Sequence, residues 1–126
     1  MIVLDTHAWL WLASDPDKLG KSARHALRGS RPRGVAAVSC WEIAALAARG
    51  RIELDDSPVR WMEGSLAREG VELLPLTPAE AALSSKLGAL RDPFDRLIVG
   101  TAMVYSADLV TADERISGAK LVRTIW

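Results

Sequence analysis

Short apolar runs, each meeting a carboxylate at one end, are what most restrict the folds open to this chain. Ile2-Val3-Leu4 stops at Asp5, and Leu109-Val110-Thr111 runs up to Asp113. Val38-Ser39-Cys40 stands just before Glu42, and Asp95 opens Leu97-Ile98-Val99. Runs this short are buried strands or helix faces, so each acid lies where a core meets water. If the four acids converge, their like charges repel strongly unless a divalent cation stands between them.

The segments between the runs carry helix punctuation. A strand at Ile2–Leu4 leads into an apolar helix over His7–Ala13, which the polar stretch Ser14-Asp15-Pro16-Asp17 ends. An amphipathic helix covers Ser22–Leu27, Gly29–Gly34 forms a basic turn, and Val35–Val38 is a second strand. Ser39-Cys40-Trp41-Glu42 has the form of a capping box opening a helix through Ala48, with Gly50 as its C-terminal glycine. Ser57-Pro58 opens another helix, which ends near Gly70, and Val71–Leu76 is the third strand. Thr77-Pro78-Ala79-Glu80 starts a helix through Leu90, and Asp92-Pro93-Phe94-Asp95 starts one through Tyr105 or Ser106. Ala107–Thr111 and Leu121–Ile125 complete five strands.

Strands separated by helices imply right-handed crossovers and a mainly parallel sheet covered on both faces. No repeat or linker divides the chain, so residues 1–126 are expected to form one domain. Ligands of such sheets bind beyond the carboxyl ends of the strands. Asp5 and Asp113 follow strands, while Glu42 and Asp95 occupy first helical turns that open on the same edge. Each acid alone has a plainer explanation. Glu42 can cap its own helix, Asp95 can answer the helix dipole, Asp5 can be a solvated strand end, and Asp113 can start a turn or cap a helix. Four on one edge call for a shared reason.

Magnesium and manganese supply one, since they prefer oxygen ligands and retain waters. Two such ions ~3.5–4 Å apart can activate a water and stabilise the leaving oxygen of a phosphodiester. His7 and His25 are too few and too separated for a zinc centre, and no phosphate-binding glycine loop or nucleophile elbow is present. A phosphatase of the haloacid dehalogenase type needs a second aspartate two residues after the first, where this chain has His7. A receiver-type signalling domain, the alternative binding module, needs an aspartate at the third strand and a lysine after the last. Here those positions read Leu76-Thr77-Pro78 and Arg123-Thr124.

Lys plus Arg and Asp plus Glu balance at 16 each, so polyanion binding must rest on a local patch or a metal. Cys40 is the only cysteine, which suits a reducing compartment. The chain begins on a strand-like segment without a basic leader, and no apolar stretch approaches the ~18 residues of a membrane span. A soluble, cytoplasmic protein is expected.

The opening Ile-Val-Leu-Asp-Thr-His, the Ser39-x-x-Glu42 helix start, the Asp-Pro-Phe-Asp-Arg-Leu-Ile run at 92–98 and Val-Thr-Ala-Asp at 110–113 resemble a PIN domain. More narrowly, they resemble the small toxin ribonucleases of VapC-type toxin–antitoxin pairs. The resemblance covers essentially the whole chain, and Asp-Pro-Phe-Asp-Arg is its most specific element. It implies a three-layer α/β/α fold with a central, mainly parallel five-stranded sheet. It also implies magnesium- or manganese-dependent cleavage of single-stranded RNA, a homodimer, and inhibition by a cognate antitoxin. Asp5, Glu42, Asp95 and Asp113 fall on the family's acidic quartet. Asp5 and Asp95 would be the principal metal ligands, Glu42 would orient a water, and Asp113 would complete a second position. Asp92 reads as a helix cap, and Thr6 and Thr111 as hydrogen-bond donors to the carboxylates or waters.

Arg31, Arg33, Arg49, Arg51 and Arg96 are candidates for holding RNA phosphates. Arg96 could reach the pocket rim or pair with Asp92 one helical turn back, and Arg31 and Arg33 read as an exposed loop. Five tryptophans point first to core packing. The helix around Trp9, Trp11 and Leu12 is apolar nearly all round, as if covered by something other than water.

Overall fold

The structure is a computed structural model and describes residues 1–126. Strands β1 (Ile2–Leu4), β2 (Arg33–Ala36), β3 (Val71–Leu74), β4 (Asp108–Val110) and β5 (Thr124–Ile125) form one sheet in the order β3-β2-β1-β4-β5. Every pairing is parallel. Pleating sends neighbouring side chains to opposite faces. Ile2, Leu4, Val35 and Val110 therefore enter one core, while Val3, Ala36 and Leu109 enter the other. Helices α1 (Thr6–Ser14), α2 (Lys21–Arg28) and α4 (Pro58–Glu69) cover the first face, and α3 (Ala37–Ala48) adds Ile43 to it. Helices α6 (Pro93–Val104) and α7 (Glu114–Ala119) supply the second face with Ile98, Val99, Ala102 and Ile116, and α5 (Pro78–Ser84) packs against α6. This is the expected three-layer α/β/α arrangement. No helix is long and apolar enough to cross a membrane.

The chain itself covers most of the apolar α1. Trp9 is fully buried, donates its indole N–H to Ser65 Oγ at 3.1 Å, and lies 5.5 Å from the Trp61 ring. Trp11 leans on Trp126 at 5.6 Å.

Strands β3, β4 and β5 are shorter than the sequence reading, α7 is a helix it did not place, and three further boundaries differ for identifiable reasons. Strand β2 starts at Arg33, inside the expected basic turn, because Arg33 is anchored there. Its guanidinium donates to the carbonyls of Glu69 and Leu27, in the last turns of α4 and α2, where helix carbonyls lack partners. Gly34 sits in the strand because a Cβ there would come within 2.6 Å of Leu74 Cδ1. Helix α3 consequently begins at Ala37 with Ala36 at its cap position, and Ser39 lies inside the helix rather than capping it. Helix α5 stops at Ser84 instead of Leu90, since turns over 85–91 swing Leu87 and Leu90 into the second core. The remaining caps follow expectation: Ser57, Thr77 with Glu80, and Asp92 each start a helix with proline behind them.

From the central β1 the chain moves one way to β2 and β3, and later the other way to β4 and β5. The reversal of strand order at β1 and β4 leaves a crevice beyond their carboxyl ends.

Candidate active site

Asp5 is the first residue after β1. Its backbone N–H donates to Val110 across the switch point at 3.0 Å, and its side chain caps α1 by accepting from the Ala8 amide at 2.8 Å. Burial raises its pKa above the ordinary carboxylate value, while the Thr111 hydroxyl and the Ala8 amide pull it back down. Thr6 Oγ1 donates to Glu42 Oε1 at 2.7 Å and is hydrogen-bonded to Ser39 Oγ at 2.9 Å. Glu42 is thus tied to the chain after β1, not to the amide of Ser39. Burial raises its pKa too, opposed by Thr6 and helped by the charge of Asp92.

Asp92 caps α6, accepting from the amides of Phe94 at 2.7 Å and Asp95 at 3.4 Å. That cap turns Asp95, in the first turn, toward the same crevice. Burial, then the charges of Asp92 and Asp113, push the Asp95 pKa from 3.8 to about 6. Asp113, beyond β4, caps α7 and accepts from the Arg115 amide at 2.9 Å. Its own amide donates to Thr111 Oγ1 at 3.0 Å. The Arg115 guanidinium donates to both Asp113 oxygens, at 3.2 and 2.7 Å, and holds that carboxyl below its usual range.

All these side chains except Ser39 and Thr111 meet at one cavity of about 420 Å³. Asp5, Glu42, Asp92, Asp95 and Asp113 face it from four separate stretches of chain, with Thr6, His7 and Trp11 on one wall and Arg115 as its only arginine or lysine. Beside it, the exposed Trp41 stacks on Phe94 with centroids 4.9 Å apart. Five acids against one arginine leave unrelieved repulsion, which the raised Asp95 pKa registers. No three His, Cys, Asp or Glu side chains stand close enough to enclose an ion by themselves. Magnesium and manganese do not require that, because they bind through one or two carboxylates and keep waters. Oxygen donors in excess, with little nitrogen and no sulfur at the wall, fit a hard divalent cation.

The other candidate cations lie elsewhere. Arg96 neither pairs with Asp92 nor lines the cavity, and its Nε donates to the Leu90 carbonyl. Arg31 pairs with Asp108 at 2.9 Å at the amino edge of the sheet, and Arg33 is bound as described. Arg49 and Arg51 are exposed after α3. The residue missed from sequence is Arg115. Its one signal was a position two residues after a possible cap, where the amide that a capping aspartate binds brings its own side chain alongside.

A family model described as PIN domain matches residues 2–120. Ribonuclease VapC22 of Mycobacterium tuberculosis is 35% identical over 129 residues, covering 99% of this chain and 98% of that protein. Among solved structures, VapBC2 from Rickettsia felis bound to a promoter DNA fragment superposes with a TM-score of 0.70 at 14% identity, over 98% of this chain and 97% of that one. FitAcB from Neisseria gonorrhoeae gives a TM-score of 0.67 at 19% identity, over 98% and 96%. At these identities the superpositions speak to the fold.

Proposed function

The chain belongs to the PIN domain family, and from that premise we propose that it is a magnesium- or manganese-dependent endoribonuclease toxin, restrained by a cognate antitoxin. It cleaves single-stranded regions of RNA, and residues 1–126 act as one catalytic domain, paired as a homodimer in the cytoplasm. The observation that carries this reading is the cleft itself: five carboxylates around one cavity at the switch point of a parallel sheet. The relative VapC22 is a ribonuclease by name, and the compared structures include toxin–antitoxin complexes.

In this reading Asp5 and Asp95 are the principal metal ligands, and Asp113 serves a second position. The bound cation supplies Lewis-acid polarisation of the phosphodiester and lowers the pKa of water. Glu42, steadied by the Thr6 hydroxyl, orients the attacking water and takes up its proton. Attack at phosphorus breaks the bond to the 3′ oxygen, which takes a proton from solvent water, giving a 3′-hydroxyl and a 5′-phosphate. Thr111 holds the Asp5 and Asp113 arms together. Arg96 meets RNA outside the cavity wall, through the terminal nitrogens that its bond to Leu90 leaves spare.

The test is direct. The purified protein with manganese should cut a labelled single-stranded RNA, chelation should stop it, and Asp5→Asn should lose at least about a hundredfold in rate, as removal of a charge-stabilising group does. Cleavage that survives in Asp5→Asn or in chelator would refute the assignment.

A further inference from the structure

Arg115 stands where two cavities meet. It lines the acidic cleft and also a neighbouring recess of about 230 Å³, bounded by Leu90, Arg91, Asp92 and Asp95. Its guanidinium grips Asp113 through two nitrogens and reaches Asp95 Oδ2 at 3.7 Å. The side chain is 74% exposed, and its side-chain hydrogen bonds and ion pairs are confined to these two acids. Both belong to the set that would hold metal under the reading above, on which this inference rests. A guanidinium fork on a carboxylate draws on the same oxygens that a cation coordinates, and two positive charges on one carboxylate repel, so the two occupancies compete.

We propose that Arg115 is an exchangeable internal counter-ion: it neutralises Asp113 and Asp95 in the metal-free protein and is displaced when a divalent cation takes those oxygens. Displacement also moves a side chain that the cleft and the neighbouring recess share with Asp92 and Asp95. The released guanidinium, with five donors on a long exposed stem, is then free at the cleft mouth beside any phosphate that enters. Arg115 is a positioning residue here, since it acts through the acids that it holds. Its presence weakens metal affinity by whatever the ion pair contributes.

Calorimetric titration of manganese into the full chain tests this at fixed ionic strength. Arg115→Gln should bind roughly two- to fivefold more tightly than wild type, the range set by the strength of exposed ion pairs. Arg115→Lys, which keeps the charge and loses the fork, should fall between. In wild-type protein, the Arg115 Nε–H resonance should shift when magnesium saturates the site. Equal or weaker manganese binding by Arg115→Gln overturns the proposal, as does an Nε–H resonance that magnesium leaves unmoved. If either occurs while wild type binds manganese and cleaves RNA, the exchange fails and the ribonuclease reading stands. An active Asp5→Asn would instead sink that reading.

Discussion

Thr6 serves the cleft without being able to ligate strongly itself. One hydroxyl between Glu42 and Ser39 fixes the rotamer of a carboxylate on a different element. Thr6→Val keeps the shape and removes the bonds, so stability should fall by about 1 kcal/mol in chemical denaturation. Cleavage should drop roughly ten- to a hundredfold, as when an outer partner of a metal-site carboxylate is lost. A variant as active as wild type would show that Glu42 needs no such support. At this scale much was legible. Asp5 and Asp113 announce themselves by closing apolar runs, and Asp92 by the proline behind it. Arg115 does so only faintly, through its place two residues after Asp113, because a cap at Asp113 has to form before that spacing means anything. Arg96 reaches neither the cavity wall nor Asp92 for the converse reason: adjacency to Asp95 in sequence does not mean a shared direction on a helix, and its Nε turns back to Leu90.

Helices α5 and α6 pack with almost no clearance. A Cβ on Gly100 would lie 2.0 Å from Ser84 Oγ and 3.1 Å from Ser84 Cβ, while Ser84 Oγ is buried without a hydrogen-bond partner. Gly100→Ala should therefore destabilise the protein by about 1–3 kcal/mol, the usual cost of overpacking, despite alanine's better helix propensity. An unchanged or raised midpoint in urea would mean that α5 can shift aside. The same contact shows why element boundaries were harder to read than element types. Proline and its cap fixed where α4, α5 and α6 begin. Where α5 ends was decided by Leu87 and Leu90 entering the core, and where β2 begins by Arg33 finding two helix ends. Glycines at 34 and 100 look like punctuation in sequence and are close-approach positions in space.

For the molecule as a whole, the crowded carboxylates tie stability to pH. Asp95 has a folded-state pKa raised from 3.8 to about 6, so between those values the folded protein holds a proton that the unfolded chain has released. Stability should thus fall as pH rises through that window. Burial shifts Asp5 and Glu42 in the same direction. In chelator the melting temperature should be higher at pH 5 than at pH 7 by about 2–5 °C. Manganese should reverse the order by favouring the ionised acids, and Asp95→Asn should flatten the pH dependence. A metal-free protein that melts higher at pH 7 would contradict this balance. The crossover pattern makes the parallel sheet and its loaded edge readable from the sequence. Its order, with β1 central and β5 cut to two residues, required knowing which strands pair. The tryptophans add an optical consequence. Trp9 and Trp61 sit in the core as a steady emission background, whereas Trp11 lines the cleft and Trp41, 54% exposed, stacks on Phe94, both members of that stack being one residue away from a cleft acid. Occupancy there is written into the protein's own fluorescence, without a dye.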